Sequence, residues 1–523
     1  MFIRYYTKNG VEYACLQSSS RIKDEISSKY GGNLGRVIDK EKGIFKNRKR
    51  GYYRYTIEDG YSEASAKDVA IAEERQNGPE PEERSYGNER MPIDFGDAFF
   101  LDWYMKELNL TNIVRDLIPH DADTVMSLLF YKVLTDQKAS MHALTWWRGN
   151  YASMLFPLAN LKSQHISLVL EDLGSEQIQH QFFDHYISLL YGKNGATGIL
   201  IDSTGIPNAT KMQVTQLSNH NGDINVEVRL IYVIDRKNGM PIYFRYVQGN
   251  IIDVSTLITT FNEMKQYGID ISYAIMDAGY FSEENVRELF ENGVPFITRL
   301  APNRVLFKEV VGNNNESISD LQSARYAVNY GGRLVYLKRV ARRLYDHDIY
   351  VFIGIDAVSH NAQSAKTMLR YLSDGIDPDE IDRQMMRLGL FVIVSSEALS
   401  TEEVLPLYYT RQQVEQVFDV TKNYADILPI RVDNEMTFRG HLLLCFIATA
   451  ILQRLQSALL AKRKKGDKVN IFEAFMQLRN QKCKVFDKAL VPYEPCREDN
   501  EIYRMFNLNP PKLIEREDER SEN

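Results

Sequence analysis

Ala196 to Ile206 reads ATGILIDSTGI. A short apolar run, Ile199-Leu200-Ile201, ends on an acid, Asp202, with Gly198 and Gly205 around it. A short apolar run bounded by glycines reads as a buried strand. Further along, Ile224–Met240 (INVEVRLIYVIDRKNGM) and Pro241–Asn250 (PIYFRYVQGN) are strand-like, joined by a turn around Lys237–Gly239. Asp253–Tyr267 (DVSTLITTFNEMKQY) switches to helical spacing, and Ile271–Gly279 (ISYAIMDAG) is a strand reaching Asp277. Phe281–Gly293 is a helix with Ser282 as N-cap and Gly293 closing it, and Val294–Leu300 is a further strand. The order is β-β-β-α-β-α-β. A hairpin meander followed by alternating strands and helices predicts an α/β fold: a mixed sheet with helices on both faces.

The stretches on either side divide the chain. Residues 1–71 read as a small β-rich segment, with the hairpin dipeptide Asn9-Gly10 between aromatic runs. Its stretch from Lys40 to Tyr55 concentrates Lys40, Lys42, Lys46, Arg48, Lys49, Arg50 and Arg54 against one acid, with Tyr52, Tyr53 and Tyr55 interleaved. Cations for phosphates and rings for bases make a nucleic-acid surface; the alternative is a solvated loop. Residues 72–94 read as a polar, proline-containing linker, and 95–196 as a helical DNA-binding or bundle domain, where the Leu173-Gly174 turn between two helices suits a helix-turn-helix or a plain bundle alike. Residues 197–300 and 401–460 carry the α/β pattern. A mostly β insertion at 301–400, including Val305–Val311 (VLFKEVV) as a strand, interrupts it. Residues 461–523 read as a basic helical region, opening on Lys462, Arg463, Lys464 and Lys465, and a charged, disordered tail.

Composition sets the outer limits. The chain has 523 residues, 25% charged, with a net charge of -7, so nucleic-acid contact must come from local basic patches. No uninterrupted apolar run is long enough for a membrane span, and Phe438–Leu460 reads as a buried core helix. The first residues show no apolar export segment, and four scattered cysteines, Cys15, Cys445, Cys483 and Cys496, suit a reducing cytoplasm better than zinc or a disulfide framework.

Asp202 and Asp277 sit where α/β sites are usually built, at the C-terminal ends of strands. A third acid comes from Tyr408–Lys422, YYTRQQVEQVFDVTK. At about 100° per residue, Tyr408, Arg411, Glu415 and Lys422 return to one side of a helix, while Val414, Val417 and Phe418 supply a face to bury. Three acids so distant in sequence converge only if the two strands are neighbours and the helix packs beside them. Held together they repel, and hard cations such as Mg²⁺ or Mn²⁺ stabilise their charged forms. Two such ions would activate a water or a 3′-hydroxyl and stabilise the leaving oxygen of a phosphodiester. Asp235 and Asp253 read as turn or cap acids, and His441 as a core or supporting histidine.

These residues resemble the DDE insertion-sequence transposases of the IS-four group. Tyr408, Arg411, Glu415 and Lys422 fit that group's Tyr-x2-Arg-x3-Glu-x6-Lys signature, ILIDSTGI its first-Asp strand, and IMDAGYFSEEN its second-Asp segment. The resemblance covers roughly residues 95–460. It implies an RNase H-like core, with Asp202, Asp277 and Glu415 binding two Mg²⁺ or Mn²⁺ ions and Tyr408, Arg411 and Lys422 holding phosphates. It also implies DNA partners, namely terminal inverted repeats and target DNA, with a homodimer forming on DNA in the nucleoid. Arg48, Lys49 and Arg50 are further candidate DNA contacts. Family members cut DNA by water attack and join the 3′-hydroxyl to a target, several through a hairpin intermediate in which a tryptophan of the β insertion stacks on a flipped base. Residues 278–400 contain no tryptophan, which leaves Tyr326, Tyr330, Tyr336, Tyr345 or a phenylalanine to substitute. A nuclease without strand transfer and a degenerate DNA-binding relative are the alternative readings.

Overall fold

The computed structural model describes residues 1–516 apart from 9–10, 23–24, 66–68, 70–88, 136–138, 193–194, 209–211, 219–223, 252, 313–317, 375–387, 424–431, 433 and 463–469. The Asn9-Gly10 turn, most of the 72–94 stretch, the Arg463–Lys465 cations and the tail beyond 516 therefore lie outside the described residues. The chain divides into two compact units, Met1–Gly87 and Asn88–Asn523.

The first unit is an antiparallel meander of six strands: β1 (Phe2–Lys8), β2 (Val11–Ile22), β3 (Glu25–Asp39), β4 (Ile44–Asn47), β5 (Gly51–Thr56) and β6 (Gly60–Glu63). Ala14, Leu16, Leu34, Phe45, Tyr53 and Tyr55 form its small core. The β4–β5 turn carries Arg48, Lys49 and Arg50. Asn47 Oδ1 accepts from the Lys49 and Arg50 amides at 3.1 and 2.8 Å, and Gly51 supplies the positive φ (66°) that closes the turn.

The second unit is built on one large mixed sheet. Its strands are β8 (Gly195–Pro207), β9 (Gln216–Ser218), β10 (Asn225–Asp235), β11 (Pro241–Gln248), β12 (Ile269–Met276), β13 (Phe296–Arg299), β14 (Ala327–Tyr330), β15 (Arg333–Leu344), β16 (His347–Asp356) and β17 (Leu390–Ser395). The order across the sheet is β11-β10-β8-β12-β13-β17-β16-β15-β14, with β9 beside β10. Strands β8, β12 and β13 run parallel; the other pairs are antiparallel. Met276 is level with Ile201, so Asp277, just past the end of β12, comes beside Asp202. Asp202 does not end its strand as the sequence suggested: β8 continues to Pro207, because Ser203–Pro207 go on pairing with β10 after β12 has stopped.

Helices cover both faces. On the face that carries Asp202, Tyr232 stacks on Phe418 of the Gln412–Asn423 helix and packs edge-on against Phe446 of the Glu435–Lys462 helix. On the opposite face, Tyr243 hydrogen-bonds Glu263 of the Leu257–Gln266 helix at 2.8 Å. The Glu435–Lys462 helix is apolar enough to cross a membrane by length and mean hydropathy (1.6), a span not expected from the sequence, yet most of it is buried within the protein. Each fully buried Phe or Leu on it contributes roughly 1.5–3 kcal/mol relative to exposure. Gly440 faces the backbone oxygen of Leu170, and Gly174 faces that of Met436; a Cβ at either would collide with it. The two glycines thus let the C-terminal end of the Ser163–Leu173 helix meet the long helix backbone to backbone.

Four further stretches differ from the sequence reading. Val305–Gly312 is a helix, not a strand: Phe307 and Val310 are buried at helical spacing, and the β-branched residues concealed this. The 301–400 insertion does not stand apart, because β14–β17 continue the central sheet from β13. The last linker residues, Glu89–Asp94, form a strand (β7) paired with β18 (Lys482–Phe486), and β19 (Ala489–Pro492) and β20 (Ile514–Glu515) complete that four-stranded sheet. The C-terminal stretch is therefore mixed α and β, not helical. Fully buried Asp97 ties it down by accepting from Arg479 Nε at 3.0 Å, Asn150 Nδ2 at 3.1 Å and the Ala98 amide at 2.7 Å.

Candidate active site

Tyr408–Lys422 is not one continuous helix. The Thr401–Tyr409 helix ends, and a second begins at Gln412. Between them the Arg411 amide donates to Tyr408 O at 3.1 Å and the Thr410 amide to Leu407 O at 3.3 Å, the short-range pattern of a tightened turn. The break changes which residues share a side. Tyr408 turns inward and is buried, whereas Arg411 and Glu415 remain one turn apart on the exposed side.

Arg411 reaches across to β8 and to the end of β12. Its Nη1 lies 2.5 Å from Asp202 Oδ2 and 3.7 Å from Asp277 Oδ1, and its Nη2 lies 3.2 Å from Glu415 Oε1. One guanidinium thus gathers all three acids, from within β8, from the end of β12 and from a helix. Exposure rises outward, from 13% for the Asp202 side chain through 39% for Asp277 to 61% for Glu415. The cluster thus runs from a buried acid to an exposed one.

The electrostatics follow from that gradient. Burial, the largest influence, lifts the Asp202 pKa to about 7; Arg411 opposes it, Asp277 and Asp253 add to it, and the Ser203 amide, donating at 2.8 Å, opposes it. For Arg411, burial works against the charge, but Asp202, then Tyr408, Asp277 and Glu415, hold its pKa above the ordinary value. Lys422 donates to Thr204 Oγ1, two residues beyond Asp202, at 2.6 Å. Burial lowers its pKa and nearby Glu227 resists that. The Tyr408 phenol is pushed up, chiefly by burial.

Among the described residues no three His, Cys, Asp or Glu side chains stand close enough to share one ion; what the three acids share is Arg411. The donor set nevertheless suits a hard divalent cation. It is all carboxylate oxygen, and its innermost member is a buried acid whose charged form is under-stabilised. Arg48, Lys49 and Arg50 belong to the other unit, where Arg50 lies over the Tyr61 ring at 4.0 Å and neighbouring Lys46 over Tyr52 at 4.1 Å. In the insertion, Tyr330 stacks on Tyr409 at 5.0 Å and Tyr345 lies under Arg287, so both rings already have partners. His441 sits on the core helix with Nε2 3.6 Å from Cys445 Sγ.

Sequence reasoning passed over Asp253. Asp235 is a turn acid, accepting from the Lys237 and Asn238 amides. Asp253 instead accepts from Ser203 Oγ at 2.5 Å and pairs with buried Arg229 at 3.0 Å. The available signal was Arg229 itself, a cation at the head of the apolar run Leu230–Ile234, which requires a partner when buried.

A family model described as the transposase DDE domain matches residues 193–451, just under half of the chain and the stretch that holds all three acids. No curated protein matches. Among solved structures, a cryo-EM structure of a piggyBac transposase synaptic complex with hairpin DNA is 12% identical, with 68% of this chain and 70% of that chain covered and a TM-score of 0.39.

Proposed function

We propose that this chain is a DNA transposase of an insertion sequence, which cuts the element ends and joins their 3′-hydroxyls to target DNA. The observation that carries the reading is the convergence of Asp202, Asp277 and Glu415 on Arg411, within the stretch that matches the transposase DDE domain. In this reading the sheet is an RNase H-like core of the IS-four type. Asp202, Asp277 and Glu415 would hold divalent cations, Mg²⁺ or Mn²⁺, which when bound supply Lewis-acid activation of the attacking oxygen and stabilise the leaving one.

The chain's own residues do the rest. The adjacent strands β8 and β12 set Asp202 beside Asp277, and the helix brings Glu415 to the exposed side from which a strand of DNA enters. Arg411 holds the carboxylates together before substrate arrives, and its fork then suits a phosphate. Lys422, half-buried beside Thr204, is a second phosphate holder. Buried Tyr408 shapes the turn that aims Arg411 and does not itself reach DNA. Arg48, Lys49 and Arg50 add a basic, aromatic-backed contact for duplex, and two copies of the chain would bridge the element's inverted repeats.

The test uses labelled duplexes carrying the inverted repeats that border the gene, with target DNA and Mg²⁺. Cleaved ends that become joined to target support the reading. Cleavage without joining identifies a nuclease on the same scaffold, and no cleavage with Mg²⁺ or Mn²⁺ refutes both.

A further inference from the structure

Behind the acid cluster lies a second, buried polar layer that the proposed chemistry does not use. It centres on Asp253, at the start of the Asp253–Thr256 turn. Its Oδ1 accepts from Ser203 Oγ at 2.5 Å and from Arg229 Nη1 at 3.0 Å. Ser203 follows Asp202 in β8, and its amide donates to Asp202 Oδ1 at 2.8 Å. A continuous chain therefore runs from Asp253 through one residue to the innermost acid. Arg229, on β10, is pinned in turn by Ser218, which accepts from Nη2 at 3.4 Å.

The same carboxylate also abuts the segment after Asp277. A Cβ added at Gly279 would stand 2.9 Å from Asp253 Oδ2, so the glycine is what lets the two turns close on each other. Buried Asn285 bolts them together: its Nδ2 donates to Val254 O and to Tyr280 O, each at 2.8 Å. Fully buried Tyr280 fills the space beside Asp253 and Asp202, and Thr256 Oγ1 donates to Asp253 O at 2.8 Å. Both segments that present the aspartates, β8 at Ser203 and the turn after β12, are thus anchored to one residue on the far side of the sheet.

We propose that Asp253 is a positioning residue: held by Arg229, it grips Ser203 on one side and the Gly279 turn on the other, and so sets Asp202 against Asp277 for a divalent cation. The inference rests on the reading of Asp202 and Asp277 as cation ligands. Supporting partners of this kind are worth 10- to 100-fold in metal affinity where measured. A carboxylate that only stabilised the fold would change melting and leave affinity alone.

The experiment is Mn²⁺ binding to the full chain without DNA, by calorimetry and by the spin-resonance signal of free Mn²⁺, with melting temperature recorded beside it. Asp253→Ala is expected to weaken Mn²⁺ binding by about tenfold. Ser203→Ala and Gly279→Ala, which disturb one grip each, should weaken it by less. Asp253→Asn, which retains an acceptor oxygen, should recover part of the loss. Wild-type Mn²⁺ affinity in Asp253→Ala, with or without a lower melting temperature, would overturn the inference. Should Asp253→Ala fail to fold, unchanged affinity in both Ser203→Ala and Gly279→Ala would overturn it equally. Unchanged affinity in Asp202→Asn would bring down the cation-site reading and this inference together. A chain inert toward DNA that still loses Mn²⁺ on Asp253→Ala would refute the transposase reading and leave the positioning role standing.

Discussion

Replacing Asp202 by Asn should make the protein more stable at neutral pH while removing its cleavage activity. Burial raises the Asp202 pKa from 3.8 to about 7 despite the Arg411 contact. In the unfolded chain the group ionises near 3.8, so between about pH 4 and pH 7 the folded state holds a proton that the unfolded state has released. Stability from this group is then full below pH 4 and falls as pH rises through 7. About three pH units at ~1.4 kcal/mol each give a loss of roughly 4 kcal/mol on going from pH 4 to above pH 7. Asn cannot ionise, so Asp202→Asn escapes that loss. At roughly 2.1 cal/mol/K of unfolding entropy per residue, a unit of about 430 residues converts 4 kcal/mol into a rise of about 4 °C in melting temperature. The assay is scanning calorimetry of both proteins with EDTA at pH 5 and pH 8. The advantage of Asp202→Asn should be larger at pH 8 than at pH 5. An equal or smaller advantage at pH 8 would show that the folded site does not resist the Asp202 charge.

Other perturbations follow from named contacts. Arg411→Ala removes the cation that opposes the raised Asp202 pKa, so in EDTA the pH-dependent loss of stability should extend to higher pH than in the wild type; an unmoved midpoint would count against the pairing. Replacing Arg48, Lys49 and Arg50 by Gln should weaken duplex binding and reduce the slope of log affinity against log salt by up to about 2.7, read from titrations at several salt concentrations. Arg479→Ala strands the buried Asp97 carboxylate and should cost about 3–5 kcal/mol, read as a drop in melting temperature at pH 7. Gly440→Ala drives a methyl into the Leu170 carbonyl and should cost about 3 kcal/mol, whereas alanine at exposed Gly312, where nothing stands within 4 Å, should cost almost nothing.

The parts of this fold governed by local pattern could be read from residues alone. The β12 strand shows as an apolar run halted by an acid, and the Ser282 cap and Gly293 stop mark their helix because capping is local chemistry. The apolar run of β8 also shows, but not its continuation past Asp202 to Pro207, which depends on pairing with β10. Parts decided by distant partners could not. Glu89–Asp94 is polar and contains proline, and it is a strand only because β18, nearly four hundred residues later, offers it an edge. Val305–Val311 has β-branched composition, but its burial is helical. The Tyr408–Lys422 stretch has unbroken helical periodicity, yet the chain tightens at Thr410 and Arg411, which buries Tyr408 and aims Arg411 at Asp202. Asp253 has the sequence of a turn acid. Only the fold brings Arg229 and Ser203 to it from two strands.

Glu415→Gln tests the central claim most directly, since Glu415 is the most exposed of the three acids and the least entangled with folding. With labelled element ends, target DNA and Mg²⁺, the variant is predicted to bind the ends as the wild type does and to yield neither cleaved nor joined product. Asp277→Asn should behave in the same way. Cleavage and joining at the wild-type rate by Glu415→Gln would contradict the account, because the helix would then contribute no acid to the chemistry.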